Sequence, residues 1–295
     1  MTQTQRLHRS DLDSLASVAV SAARRAGDFI HSWNREGLAV SEKEGGLSHA
    51  SKVVTEVDLR SQTLILETLA PSIETFDLGL LAEEGADGGD RFSKDFFWCV
   101  DPLDGTLPFV EYGTGYSVSI ALVSRAGVPH IGVVYDPSCE VLYTAIRGAG
   151  TLRNGAPLRV REHSAPSGRL TFFLDRSFTV HPRFDETCRA LSAVASEFGC
   201  DGLSTVVERG AVLNACGVVE TPPACYFKYP KPEPSGGSLW DFAATACIVA
   251  EAGGWVSDIF GNPLDLNRAD STFMNHRGVL YASDEQIAER VRAIF

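Results

Sequence analysis

Apolar residues in this chain recur at several spacings, and each spacing predicts a different element. Leu12, Leu15, Ala16, Ala19, Ala22, Ala26, Phe29 and Ile30 fall at helical spacing behind Ser10-Asp11, which can cap the helix they define. Val53 to Asp58 leads into a second helix, Leu59 to Leu69, which Pro71 is expected to end because proline has no N–H for the next turn. Between the two, Gly37 to Ser51 is mostly polar, carries three glycines and reads as a mobile loop or a lid. Phe96 to Val100 differs from both helices: it is short, bulky and uncharged, as in a strand buried on both faces. It follows the apolar run Leu78-Gly79-Leu80-Leu81 and a glycine-rich connection, Gly85 to Lys94, whose Asp87 and Asp90 are expected in solvent. Ser117 to Val123 alternates, Ile131 to Tyr135 is rich in β-branched residues, and Val141 to Ile146 follows an Asp136-Pro137-Ser138 turn. Connections this short imply an antiparallel meander, with Asn154-Gly155 as a further turn.

Beyond Ser164-Ala165-Pro166-Ser167-Gly168, the candidate linker, strands and helices alternate. Leu170 to Leu174, Ala224 to Tyr229, Trp255 to Ile259 and Val279 to Ala282 read as strands. Phe184 to Phe198, Ala211 to Val219, Leu239 to Ala252 and Asp284 to Phe295 read as helices. The chain therefore divides into two halves, 1–165 and 166–295.

The stretch that carries chemistry is Trp98-Cys99-Val100-Asp101-Pro102-Leu103-Asp104-Gly105-Thr106. Pro102 removes a ladder donor and favours an extended Asp101, so the strand is expected to stop there. Asp101 and Asp104 are close enough in sequence for a tight turn to aim both at one cation, and Mg2+ takes such oxygen ligands. Gly105 and Thr106 would leave backbone N–H groups free for an anion. The same residues are common turn formers, and alone they read equally as a surface loop. Two further acidic features are Glu83-Glu84 ahead of the strand and Trp240-Asp241, which opens an Ala-rich helix ending Glu251-Ala252-Gly253-Gly254. Asp58 and Asp241 also have a plain reading as helix caps.

Taken together, these three motifs resemble the signatures of the inositol monophosphatase family, in the family's order and spacing from about Thr55 to Gly254. The resemblance implies an α+β fold, a layered α-β-α-β-α sandwich with an antiparallel sheet in the first half beside a smaller mixed sheet in the second. It implies a phosphoric monoester hydrolase using two or three Mg2+ ions, sensitive to lithium and commonly a homodimer. Carried onto this chain, one metal takes Glu83, Asp101 and the carbonyl of Leu103, a second takes Asp101, Asp104 and Asp241, and a third, weaker site uses Glu83 and water. Thr106, polarised by Asp58, would orient the attacking water. The backbone at Gly105 and Thr106, with Asp104 and Asp241, would hold the substrate.

The substrate itself is less well indicated. Arg209-Gly210-Ala211 stands where typical members carry Gly-Thr-Ala or Gly-Ser-Ala near the substrate ring. Pro234, with Glu233 beside it, stands where they place a glutamate that contacts substrate hydroxyls. Leu107-Pro108-Phe109 replaces the Lys-x-Phe segment of bisphosphate nucleotidases. Glu233 could receive a sugar or cyclitol hydroxyl. Lys228 and Lys231 could meet a second phosphate, although a solvated loop is the plainer reading of two lysines. The expected substrate is inositol monophosphate or a similar polyol or sugar phosphate. Alternatives are a 3′(2′),5′-bisphosphate nucleotidase, a sugar-bisphosphatase, or a regulatory protein that binds metal or phosphate without turnover.

Composition narrows the partners. The net charge of −12 argues against a nucleic-acid scaffold and suits a site that collects cations. Seven cysteines, odd in number and without CxxC or Cys/His zinc spacing, fit reduced thiols. Met1 to Asp11 is polar and no run reaches membrane-spanning length, so the chain is expected to be cytoplasmic. His31, His130 and His181 fall in no ligand pattern and are expected to be structural or at the surface. Gly88-Gly89 and Gly236-Gly237 lack the Lys-Ser/Thr ending of a P-loop, which excludes that kind of ATP site.

Overall fold

The computed structural model describes residues 6–33, 49–160 and 168–295. Most of the expected loop at Gly37 to Ser51 and most of the expected linker at Ser164 to Gly168 lie outside the described residues.

The first sheet has seven strands in sequence order: β1 (Gly79–Ala82), β2 (Phe96–Asp104), β3 (Ser117–Ser124), β4 (Pro129–Asp136), β5 (Val141–Ile146), β6 (Gly150–Arg153) and β7 (Ala156–Leu158). Every neighbouring pair is antiparallel except β1 and β2, which run parallel. The chain between them, with the short helix α3 (Asp90–Ser93), is long enough for the crossover that a parallel pair needs. Asp87 is not simply in solvent there: its carboxylate accepts from Nε of the buried Arg91 at 2.7 Å.

Period-two alternation sorts β2 between two cores. Phe97 and Cys99 face one side, while Phe96, Trp98 and Val100 face the other. On that second side pack the long helices α1 (Arg9–Ser32) and α2 (His49–Thr75). Helix α2 is longer than expected at both ends, since His49 to Ser51 already belong to it and Pro71 lies inside it. Its last turn is closed by side chains: Ser72 Oγ donates to Leu69 O at 2.6 Å and Thr75 Oγ1 to Pro71 O at 2.7 Å. The Trp98 indole N–H donates to Ser72 Oγ at 3.1 Å, which ties that turn to β2.

The second sheet has the order β11-β12-β10-β8-β9, built from β8 (Leu170–Phe173), β9 (Leu203–Val206), β10 (Ala224–Lys228), β11 (Trp255–Ser257) and β12 (Val279–Ala282). β9 with β8 and β8 with β10 are parallel, and β12 runs antiparallel to its two neighbours. Helices α6 (Ala211–Glu220) and α7 (Leu239–Glu251) lie between the sheets, and α5 (Phe184–Glu197) and α8 (Glu285–Arg292) cover the far face. The result is an α-β-α-β-α sandwich. The middle core draws on both sheets, from Leu81 and Phe97 to Tyr226 and Tyr281. Among the described residues no helix is long and apolar enough to cross a membrane, and all seven cysteines are free.

Candidate metal and phosphate site

β2 does not stop at Asp101. It continues to Asp104, with pairing to β3 shifting between Asp101↔Ser119 and Asp104↔Ser117, so β2 carries one residue more than its partner here. Pro102 falls in this bulge, where its missing N–H breaks no ladder bond. The bulge is pinned twice. Asp101 Oδ1 accepts from Leu103 N–H at 3.0 Å, and Ser61 of α2 donates to Pro102 O at 2.8 Å. Gly105 follows at φ +83°, and a Cβ there would crowd the backbone of Gly115 and Tyr116. The short helix α4 (Thr106–Glu111) begins at once.

Other elements bring the remaining acids to this point. Glu83 lies just past β1, with its N–H on Val100 O at 3.2 Å, and Gln62 of α2 holds Glu84 by two bonds of 2.8 and 2.9 Å. Asp241 sits in the first turn of α7 and accepts from Ser238 N–H at 2.6 Å, so its capping role is real and coexists with its place in the site. Asp104 accepts from Ala211 N–H at 3.1 Å and Val212 N–H at 3.0 Å, the first N–H groups of α6.

Asp101, Asp104 and Asp241 each offer an oxygen within 4.8 Å of the others. Glu83 borders this group with its surface exposed but its carboxylate turned inward, sharing a hydrogen bond with Asp101 and reached by Trp240. Burial, and then the charge of Asp241, push Glu83 up to about 7. Asp101 is raised well above the usual carboxylate range by burial and by Glu83, Asp104 and Asp241. Asp104 and Asp241 are raised chiefly by burial, with Lys228 opposing the rise in both. A cluster of oxygen donors that repel one another in a buried setting, with no nitrogen or sulfur donor among them, fits a hard divalent cation. The carbonyl of Leu103 is part of the same turn.

Asp58 lies inside α2, not at its start, so its role as a cap is ruled out. Its Oδ1 is buried without a hydrogen-bond partner, and burial followed by Glu84 and Glu83 raises its pKa to about 8. Thr106 Oγ1 donates instead to Leu103 O at 3.3 Å.

The cluster opens into a cavity of about 300 Å3 whose walls include Asp104, Gly105, Arg209, Gly210, Ala211 and Asp241. Arg209 forms no ion pair among the described residues, and its guanidinium lies 5.7 Å from the Phe173 ring centre. Glu233 is exposed and is not among the residues that line this cavity. Lys228 overturns its plainer reading: it ends β10, lines the cavity and pairs with Asp175 at 2.7 Å. Burial pulls its pKa down, but the attraction of Asp175 and Asp241 outweighs this and the net shift is upward. Asp175 also accepts from Tyr226 OH at 3.0 Å.

Sequence reasoning missed Asp175, Ser61 and Gln62 as parts of this site, and placed Arg209-Gly210-Ala211 beside the substrate without the bonds from α6 to Asp104. Asp175 and Lys228 meet because β8 and β10 run parallel with Phe173 opposite Tyr226, a pairing no local pattern reveals.

Three comparisons with known proteins find relatives along nearly the whole chain. The family model described as the inositol monophosphatase family matches residues 11–294. The chain is 30% identical over 285 residues to Nus factor SuhB of Haemophilus influenzae, covering 96% of each chain. It is 32% identical over 258 residues to inositol monophosphatase 2 of Solanum lycopersicum, covering 86% of this chain and 91% of that one. A solved inositol monophosphatase from Anabaena superposes with a TM-score of 0.70 at 25% identity, covering 96% of this chain and 95% of the other.

Proposed function

The chain belongs to the inositol monophosphatase family, and from that premise we propose that it is a Mg2+-dependent phosphomonoesterase acting on inositol monophosphate or a similar polyol or sugar phosphate. The observation that carries the reading is the convergence of Asp101, Asp104 and Asp241 on one point beside a cavity that Asp104 and Asp241 line, with Glu83 next to them.

Glu83, Asp101, the Leu103 carbonyl, Asp104 and Asp241 would hold the metal. Divalent ions there would neutralise phosphoryl oxygens and acidify the attacking water. The chain's own groups supply the rest. Gly105 and Thr106 offer N–H groups at the start of α4 to the phosphate. Arg209 brings an unpaired positive charge to the cavity wall and attracts an anionic substrate. Thr106 Oγ1 orients the attacking water, and Asp58, whose buried Oδ1 has no hydrogen-bond partner, would in its ionised form accept the hydrogen of that hydroxyl. Attack is direct, and no side chain need be phosphorylated.

The test is a phosphate-release screen over phosphorylated metabolites with Mg2+ present and absent, run beside Asp104→Asn. Release that needs both Mg2+ and Asp104 is expected. A folded protein that releases no phosphate from any compound would overturn the reading in favour of a binding role.

A further inference from the structure

A second, smaller cavity of about 130 Å3 adjoins the first and shares Asp175, Ser177 and Lys228 with it. Phe178, His181 and Lys231 complete the part of its wall that concerns chemistry. Two lysines line this cavity for a structural reason. Gly236 and Gly237 adopt φ +90° and +101°, and their missing side chains leave room for lysines. A Cβ on Gly236 would lie 3.2 Å from Lys231 Nζ, and one on Gly237 would lie 3.3 Å from Lys228 Nζ. The two charges thus lie along one Gly-Gly dipeptide. Lys231 is held in place through its backbone, which donates to Asn275 O at 2.9 Å and accepts from Asn275 Nδ2 at 3.0 Å.

Asp241 and Asp104, which also attract Lys228, line the first cavity and not this one. Asp175 is the sole carboxylate lining this cavity, and Tyr226 and Lys228 already bond to it. Lys228 makes one hydrogen-bonded ion pair among the described residues, although an ammonium has three N–H groups and this side chain is only 16% exposed. Lys231 forms no ion pair among them. Glu233, on the same loop, is exposed and lines neither cavity. Two lysines on the wall of one cavity, one of them largely buried with donors to spare, are stabilised by an anion that enters it.

We propose that this second cavity is a subsite for an anionic group on the leaving portion of the substrate, a second phosphate or a carboxylate, held by Lys228 and Lys231. The inference deepens the phosphomonoesterase reading and rests on it: the ester phosphate lies at the acidic cluster, and the second anion reaches past Lys228. A polyol or sugar ester without such a group would leave the lysines unanswered and bind more weakly.

The experiment compares esters that differ by one anionic group: glucose 1-phosphate with glucose 1,6-bisphosphate and glucuronic acid 1-phosphate, fructose 1-phosphate with fructose 1,6-bisphosphate, and adenosine 3′-phosphate with adenosine 3′,5′-bisphosphate. In at least one set the doubly anionic member should have a KM lower by about tenfold or more, the size expected of a hydrogen bond to a charged group. Lys231→Ala, a change at an exposed side chain, should erase most of that preference, and Lys228→Met should do the same. The glucose set separates phosphate from carboxylate. No preference in any set, or a preference that survives both substitutions, overturns the subsite. Hydrolysis of p-nitrophenyl phosphate, which has no second anion, tests the phosphatase reading separately. If that hydrolysis is absent, calorimetric binding of the same sets decides on the subsite alone, by the same ratios.

Discussion

Asp104 Oδ2 accepts the N–H of Val212 at 3.0 Å, so the carboxylate that closes β2 also caps α6, more than a hundred residues later in the chain. Oδ1 receives Ala211 N–H at 3.1 Å. Each carboxylate oxygen has a second lone pair left for a cation. The cap therefore orients a carboxylate of the candidate metal cluster and ties β2 to α6 at that point. In Asp104→Asn one oxygen becomes an amide nitrogen that cannot accept from the backbone. Turnover should fall by at least about a hundredfold, since even partners outside the ligand shell are worth 10–100-fold. Stability should change by no more than about 1–2 kcal/mol, because relief of repulsion in the cluster offsets the lost cap bond. Phosphate release and thermal unfolding measure the two effects, and unaltered turnover would reject the site assignment.

Gly210 explains why α6 can approach so closely. Its φ of −65° is open to any residue, so the constraint is one of space. A Cβ there would overlap the Asp104 carboxylate and crowd Gly105 Cα. Gly210→Ala should destabilise the protein by about 1–3 kcal/mol, the usual cost of overpacking, and weaken Mg2+ binding as Asp104 is displaced. Urea unfolding and a Mg2+ titration would show both losses. Wild-type Mg2+ affinity in this variant would mean that Asp104 is not held by α6.

The acidic half of the site is legible in the sequence because its parts are contiguous or sit at recognisable ends. Asp101 and Asp104 follow a bulky apolar run, and Asp241 stands in the first turn of an Ala-rich helix. The layered fold follows from the motifs, while the periodicities alone supply most of its strands and helices. What is not legible depends on register or on long-range cover. Pro102 looks like a strand breaker until the bulge removes the need for its N–H. Pro71 looks like a helix breaker until Ser72 and Thr75 close the turn. Asp58 resembles a cap because nothing local shows that α2 begins at His49. Lys228 resembles a solvated loop residue because Asp175 reaches it only through the parallel pairing of β8 and β10.

The pH dependence has a definite sign. Glu83 at about 7 and Asp58 at about 8 stand well above ordinary carboxylates, so between about pH 4 and 8 the folded state holds more protons than the unfolded one. Their contribution to stability therefore falls as pH rises through this window and levels off above it. Divalent metal must displace the Glu83 proton, so its stabilising effect grows with pH. The rise in Tm produced by saturating Mg2+ should be larger at pH 8 than at pH 5.5. An equal rise at both would show that Glu83 does not hold the ion.

Asp58 and Thr106 present the sharpest test of the water-activating pair, because in the structure they are not joined. Oδ1 of Asp58 has no hydrogen-bond partner, while the Thr106 hydroxyl is spent on Leu103 O at a long 3.3 Å. A buried acceptor without a donor and a hydroxyl in a weak bond favour a rotation of Thr106 that brings the two together when substrate is bound. Asp58→Asn and Thr106→Ala should each lower kcat by about 10²–10⁴-fold, the usual worth of general base assistance, with little effect on KM. Asp58→Asn should also leave Tm unchanged or raise it, since a neutral amide replaces a carboxylate that burial and neighbouring acids disfavour. The double variant should be no slower than the worse single one, as expected of residues that act as a unit. Additive losses, or full kcat in Asp58→Asn beside a crippled Thr106→Ala, would mean that Thr106 orients the water without help from Asp58.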